Sequence, residues 1–123
     1  MELIAGAACA REFPDLGTFL VTFAQNADGS GWSFSVQLPL RVTKQDIALG
    51  QDTYCVTTSA GPAVYGGIAS WELTGDQVEI SLEQQAAERL HLSDDHLLFR
   101  LPDSAAAAPE IAAGLIRILG TLT

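Results

Sequence analysis

The chain has almost no lysine. Lys44 is the only one, and with the arginines it makes six basic residues against fifteen acidic ones, a net charge of −9 and a pI near 4.3. Gripping a phosphate backbone or an anionic membrane takes clustered Lys and Arg, so neither nucleic acid nor membrane is an expected partner. Cysteine is nearly as scarce. Cys9 and Cys55 cannot build a disulfide framework, and their apolar, strand-like surroundings predict small buried thiols in a reducing compartment. No run of about 18 apolar residues is present, which excludes a spanning helix. The opening Met-Glu-Leu-Ile-Ala-Gly-Ala-Ala-Cys-Ala lacks the basic start of a secretory leader and is soon ended by Arg11, so a cytoplasmic location is expected. Internal repeats, a phosphate-cradling glycine loop leading into a helix and a Gly-x-Ser-x-Gly elbow are also missing.

What is present suits one domain over 1–123. The hydrophobic fraction is 48% and the charged fraction 17%, which excludes disorder. Most of the chain alternates with period two, the signature of strands with one wet face. Over 18–25, Phe19, Val21 and Phe23 alternate with Thr18, Leu20, Thr22 and Ala24. Over 32–38, Trp32, Phe34, Val36 and Leu38 oppose Ser33, Ser35 and Gln37. The intervening Asn26-Ala27-Asp28-Gly29-Ser30-Gly31 tolerates left-handed backbone and predicts a loose hairpin. Pro39 interrupts any ladder, and 46–50 fits one helical turn or a loop. A third strand over 53–58 and a turn at Ala60-Gly61-Pro62 lead to a fourth over 63–74. Within it Gly66-Gly67 predicts a bulge or a point where another backbone passes close. Gly75-Asp76 suits a primed two-residue turn into a strand over 77–82 with Val78, Ile80 and Leu82 inward.

The period then changes. Leu82, Ala86, Ala87 and Leu90 recur at helical spacing, giving a short amphipathic helix that ends near His91-Leu92. Leu97, Phe99 and Leu101 mark a strand over 95–101, broken by Pro102-Asp103-Ser104. A last helix starts at Pro109, where the missing N–H has no partner to lose, and runs to about Leu119 with Ile111, Leu115, Ile118 and Leu122 on one stripe. Strands first and helices late predict an α+β fold: one largely antiparallel sheet of about six strands, with the short helix and the C-terminal helix packed on one face.

Two groupings could carry chemistry. Cys55 with His91 or His96 would make a nucleophile and base if the fold brought them together. His91-Leu92-Ser93-Asp94-Asp95-His96 gathers two imidazoles and two carboxylates, but not at the spacing of a zinc site. Turn chemistry explains Asp94 and Asp95 more simply, so no metal, cofactor or catalytic residue is expected. Trp71 shares a face with Leu73 and is assigned to the core, and Tyr65, beside the glycine pair, to the surface.

The order Asp52-Thr53-Tyr54-Cys55-Val56, then Val64-Tyr65-Gly66-Gly67-Ile68, then Trp71-Glu72-Leu73-Thr74-Gly75-Asp76 resembles the immunity protein 10 family of bacterial toxin–immunity systems. Helical Ala86-Ala87-Glu88-Arg89-Leu90, the strand over 97–101 and Gly114-Leu115-Ile116-Arg117-Ile118-Leu119 continue the likeness, which runs from Gln51 onward and takes in the strands before it loosely. The resemblance implies a protein without catalysis that binds and neutralises a toxin made by the same bacterium. A dense negative field favours a basic toxin. Asp28, Asp46, Asp52, Tyr65 and Asp76 are the expected contact residues, the four aspartates as an acidic rim on loops.

Two other readings compete. A small acidic secretion chaperone would dimerise through the alanine-rich run at 105–118, which would make the protein a homodimer. A small enzyme or ligand-binding domain would need a pocket near Cys55.

Overall fold

Period-two alternation places one side of each strand in oil and the other in water, and a strand so divided must find a second layer to cover its apolar side. The computed structural model describes residues 1–28, 30–41, 44–48, 53–59, 61, 63–101 and 108–119. In order they form β1 (Glu2–Ile4), β2 (Ala7–Phe13), a 3-10 turn (Pro14–Leu16), β3 (Thr18–Ala24), β4 (Ser33–Pro39) and α1 (Lys44–Ala48). There follow β5 (Cys55–Thr58), β6 (Ala63–Tyr65), β7 (Ile68–Thr74), β8 (Gln77–Leu82), α2 (Gln84–Arg89), β9 (His96–Arg100) and α3 (Ala108–Leu119).

The class is α+β and the pairing is mostly antiparallel, but the strands divide between two sheets where one was expected. One sheet has the order β2-β3-β4-β5-β6 and the other β1-β9-β8-β7. Among the described residues only β1 and β9 run parallel. The division happens at Gly66 and Gly67, whose φ values of 76° and 97° belong to a region that side chains avoid. They carry the chain out of β6 in one sheet and into β7 in the other. The expected bulge lies just beyond the pair, and the close neighbour is a side chain where a backbone was the alternative. The pairing of β7 with β8 slips at Ala69, between Ile68 and Ser70. And a Cβ on Gly67 would lie 2.6 Å from Ala86 Cβ, so α2 can sit on the crossing only because glycine is there. Tyr54 clamps the same point. Its phenol oxygen accepts the Ile68 N–H at 2.9 Å, and its carbonyl accepts the Gly66 N–H at 2.9 Å.

The apolar sides of the two sheets meet at Phe99. Its ring stacks on Phe23 with centroids 4.5 Å apart and planes 9° apart, while Phe34 and Trp32 approach at 5.3 and 5.8 Å. Val78, Ile80 and Leu97 complete the four-stranded side; Val21, Val36 and Val56 complete the other, all fully buried. α3 covers the rest of the five-stranded sheet's inner face. Gly114 permits this approach, since a Cβ there would lie 2.8 Å from Ala10 and 2.9 Å from Val21. Arg117 lies over the Phe19 ring at 4.2 Å and pairs with Glu12 at 2.7 Å. Both helices therefore do pack inward, α3 on this face and α2 beside β6.

Two strands were not foreseen. β1 is three residues long, and its partner lies more than ninety residues away, as the Glu2 to Leu98 pairing shows. β2 opens with Ala7-Ala8-Cys9-Ala10, whose small side chains hide the alternation because α3 needs that space. The Gly75-Asp76 turn forms as expected, with Gly75 at φ 61° and Thr74 opposite Gln77. α2 buries Ala86 and Ala87 and stops in a Schellman motif: Leu92 N–H to the Ala87 carbonyl, His91 N–H to that of Glu88, with His91 at φ 59°. The expected end of the last strand at Pro102-Asp103-Ser104, the turn at Ala60-Gly61-Pro62 and Leu122 in the α3 stripe lie at least partly outside the described residues.

The clamp at the crossing can be tested. Tyr54→Phe leaves the Ile68 N–H without its partner in a half-buried setting and should lower stability by roughly 1–3 kcal/mol in urea unfolding. A loss indistinguishable from zero would mean that the glycines alone hold the crossing.

Candidate functional site

The strand registers decide which side chains leave the core, and they separate the reactive ones. Cys55 opposes Gln37 and Tyr65, on the outer face of the five-stranded sheet. His96 opposes Ser81 on the outer face of the four-stranded sheet, with Nδ1 3.1 Å from the Ser81 hydroxyl oxygen. The two sheets share their inner sides, so Cys55 and His96 point away from each other. Burial pushes the Cys55 thiol above its ordinary pKa, against a smaller opposing effect from a backbone contact with Val64. A thiol so placed stays protonated near neutral pH. Both cysteines are free and half-buried rather than fully buried.

His91 and Asp94 serve the backbone. His91 ends α2, and one Asp94 oxygen accepts the His96 N–H at 3.1 Å while the other meets the amino group of Met1 at 2.8 Å. That ammonium, followed by the His96 N–H, holds the Asp94 carboxyl below its ordinary value. Among the described residues no group of three His, Cys, Asp or Glu side chains is placed to hold a metal.

The expected contact residues do not converge. Asp28 sits in the β3–β4 loop, where one oxygen accepts both the Ser30 hydroxyl at 2.7 Å and the Ser30 N–H at 2.9 Å. Those bonds, the hydroxyl first, lower its pKa. Asp76 lies in the β7–β8 turn and lends its carbonyl to the Leu101 N–H. Tyr65 is exposed, as expected, on the edge strand β6. Asp46 falls in α1 with its side chain outside the description, and Asp52 lies outside the described residues. No hydrogen bond or ion pair among the described residues joins Asp28, Tyr65 and Asp76. Trp71 packs partly buried against the core.

A different pair of carboxylates does converge. Glu72 and Glu79 stand directly opposite each other on the outer face of the four-stranded sheet. Opposed residues on antiparallel strands have Cβ atoms about 5 Å apart, where like charges destabilise. On the same face Arg100 is occupied with Glu2 at 2.6 Å. No ion pair among the described residues reaches Glu72 or Glu79. Between them lies a shallow depression of about 330 Å³, lined also by Ser70, Trp71 and Ser81. Small serines beside two uncompensated carboxylates suit an incoming Arg or Lys side chain. The signal was in the sequence: a two-residue turn at Gly75-Asp76 forces Glu72 opposite Glu79.

The expected dimer face on the last helix is not free. Ala108, Ile111, Gly114, Leu115, Ile118 and Leu119 of α3 are buried in the core, and Ile116 is the large apolar side chain left exposed. Residues 105–107 lie outside the described residues. A small apolar cleft of about 120 Å³ opens between the sheets beside Trp32, Phe34, Leu92 and Leu97, away from Cys55. No helix among the described residues is long and apolar enough to cross a membrane.

The class defined by these features is a small acidic α+β protein whose two sheets turn contrasting outer faces to solvent. Its family follows from the sequence match: the chain belongs to the immunity protein 10 family, matching it over residues 4–108. The match therefore takes in β2 and the last residue of β1, which the expected likeness left aside, and it ends where α3 begins, short of the segment 114–119 that was expected to belong to it. No curated protein and no solved structure matches the chain.

Two outcomes follow. Glu79→Gln removes the opposition to Glu72 and should stabilise the fold by a few tenths of a kcal/mol, roughly 1–2 °C in thermal unfolding; destabilisation would show that the pair does not repel. For Asp28, the depressed pKa means its help to the loop is present above the ordinary aspartate value and is lost as pH falls through the lowered one. An NMR titration of the Ser30 amide should give a midpoint below the ordinary aspartate value of 3.8; a midpoint at or above it would contradict the bonding described.

Proposed function

We propose that this chain binds and neutralises a cognate basic protein toxin in the cytoplasm of the bacterium that makes it, without catalysis of its own. Membership of the immunity protein 10 family carries the proposal. The charge of −9 supports it, because a strong negative field speeds encounter with a basic partner and disfavours phosphate-bearing ones. The Glu72–Glu79 depression is the place where a toxin Arg or Lys would dock. The opposed carboxylates repel in the free protein and gain when a cation comes between them. Asp28 and Tyr65 lie on other parts of the surface and Asp76 at the tip of the same hairpin; they would serve steering or rim contact, where a single charge changes the on-rate more than the affinity.

Co-expression with the product of an adjacent toxin gene, where one is found, should restore growth, and continued killing would remove the proposal. In binding measurements on the purified pair, Glu72→Lys with Glu79→Lys should weaken affinity by tenfold or more, and rising salt should weaken the wild-type complex. An unchanged affinity in the folded double variant would move the docking site elsewhere while leaving neutralisation standing.

A further inference from the structure

The two sheets close around Phe99 and then part. Phe34 and Trp32 meet the Phe99 ring at tilts of 42° and 40°, and Trp32 stays only partly buried. α3 covers the inner face beside β2 and β3, and α2 sits by β6. No residue of α2 or α3 lines the gap left at the Trp32 end. That gap is a cleft of about 120 Å³, walled chiefly by Met1, Leu3, Trp32, Phe34, Leu92 and Leu97. Leu3, Trp32 and Leu92 are partly buried and Met1 is 37% exposed, so the apolar walls open to solvent.

Size and charge choose the occupant. Drug-sized ligands fill clefts of roughly 300 Å³ or more, whereas an apolar cavity of about 150 Å³ holds a single benzene. The cleft therefore has room for one ring or one branched aliphatic group. Leu92 also borders a second, polar hollow of about 460 Å³, lined by Gln84, Glu88, Asp94 and Asp95. Asp94 is committed to the Met1 ammonium and the His96 N–H. No ion pair among the described residues reaches Glu88 or Asp95. A free apolar molecule has no use for the acidic hollow, and a second copy, itself at −9, brings net charge of the wrong sign.

We propose that cleft and hollow together bind a segment of a basic protein partner, with one bulky apolar side chain seated in the cleft and a neighbouring Lys or Arg in the hollow. Interfaces concentrate their affinity in an apolar anchor ringed by polar contacts, and Trp is enriched at such points. The site adjoins the Glu72–Glu79 depression. Ser81 lines that depression, its hydroxyl oxygen lies 3.1 Å from His96 Nδ1, and the His96 N–H bonds Asp94 of the hollow at 3.1 Å. One partner surface therefore spans both. The inference rests on the toxin-binding reading for the partner's identity alone; the chemistry of the site stands on its own residues.

The probe is a blocked tripeptide of arginine, phenylalanine and lysine, added to the full chain. It should shift the Trp32 indole N–H and the Leu92 and Leu97 methyl signals in NMR, saturating in the millimolar range expected of a single anchor. The same peptide with glutamate in place of both basic residues should bind roughly tenfold more weakly, and raising salt from about 0.05 M to about 0.5 M should narrow the difference. Leu3→Phe, which narrows the cleft, and separately Glu88→Lys, on the exposed side of α2, should each weaken the basic peptide roughly fivefold or more with the circular dichroism spectrum retained. Glu88→Lys decides the matter if Leu3→Phe does not fold. Absence of shifts at Trp32 and Leu97 would overturn the proposal. So would equal binding of both peptides and of toluene, which would make the cleft a site for apolar molecules alone. Shifts of the same signals on concentrating the protein without peptide would put a second copy there instead. Growth rescue from the toxin with no peptide shift would leave neutralisation standing and remove this site; peptide binding without rescue would do the reverse.

Discussion

The contact on which the rest depends is the stack of Phe99 on Phe23. Phe99 stands in β9, which pairs with β8 on one side and with β1 on the other, and Phe23 stands in β3 near the middle of the five-stranded sheet. Nearly parallel rings 4.5 Å apart join the two sheets at a point with no solvent access. Offset aromatic pairs add about 0.5–1.5 kcal/mol beyond the area they bury. Phe34 and Trp32 crowd the same ring, so the apolar alternation of β4 is satisfied by the same contact as that of β3. α3 then fills the part of the inner face that the four-stranded sheet does not reach, and it comes close because Gly114 meets Ala10 and Val21 without a side chain of its own.

Once the inner sides are joined, every alternate residue is committed to one of two outer faces. The faces differ in charge: Glu2, Glu72, Glu79 and Arg100 stand on one, and Arg11 on the other. One carries Glu72 directly opposite Glu79, with no ion pair to either among the described residues. The other excludes carboxylates across five strands and bonds its hydroxyls to one another. The sandwich thus keeps the paired carboxylates on one sheet and a carboxylate-free face on the other.

The Tyr-Gly-Gly segment shows how a sequence signature can be structural. Gly66 and Gly67 turn the chain between sheets, Gly67 admits Ala86, and Tyr54 ties the turn through Ile68 and Gly66. Tyr65 alone of the segment offers an exposed side chain.

Local chemistry settled a good deal in advance. Period-two runs marked β3, β4 and β8; Gly75-Asp76 placed the tight hairpin, and with it the Glu72–Glu79 opposition; Leu82, Ala86, Ala87 and Leu90 marked α2 and its buried side. These follow from spacing within about ten residues, which the chain carries wherever it goes. Tertiary structure alone decided that β1 would run beside β9, that alanine-rich β2 would lie under α3, and that Cys55 and His96 would end on opposite sides. A strand's periodicity says which side chains share a face, but its partner sheet is chosen by contacts far apart in the chain, above all where Phe99 meets Phe23.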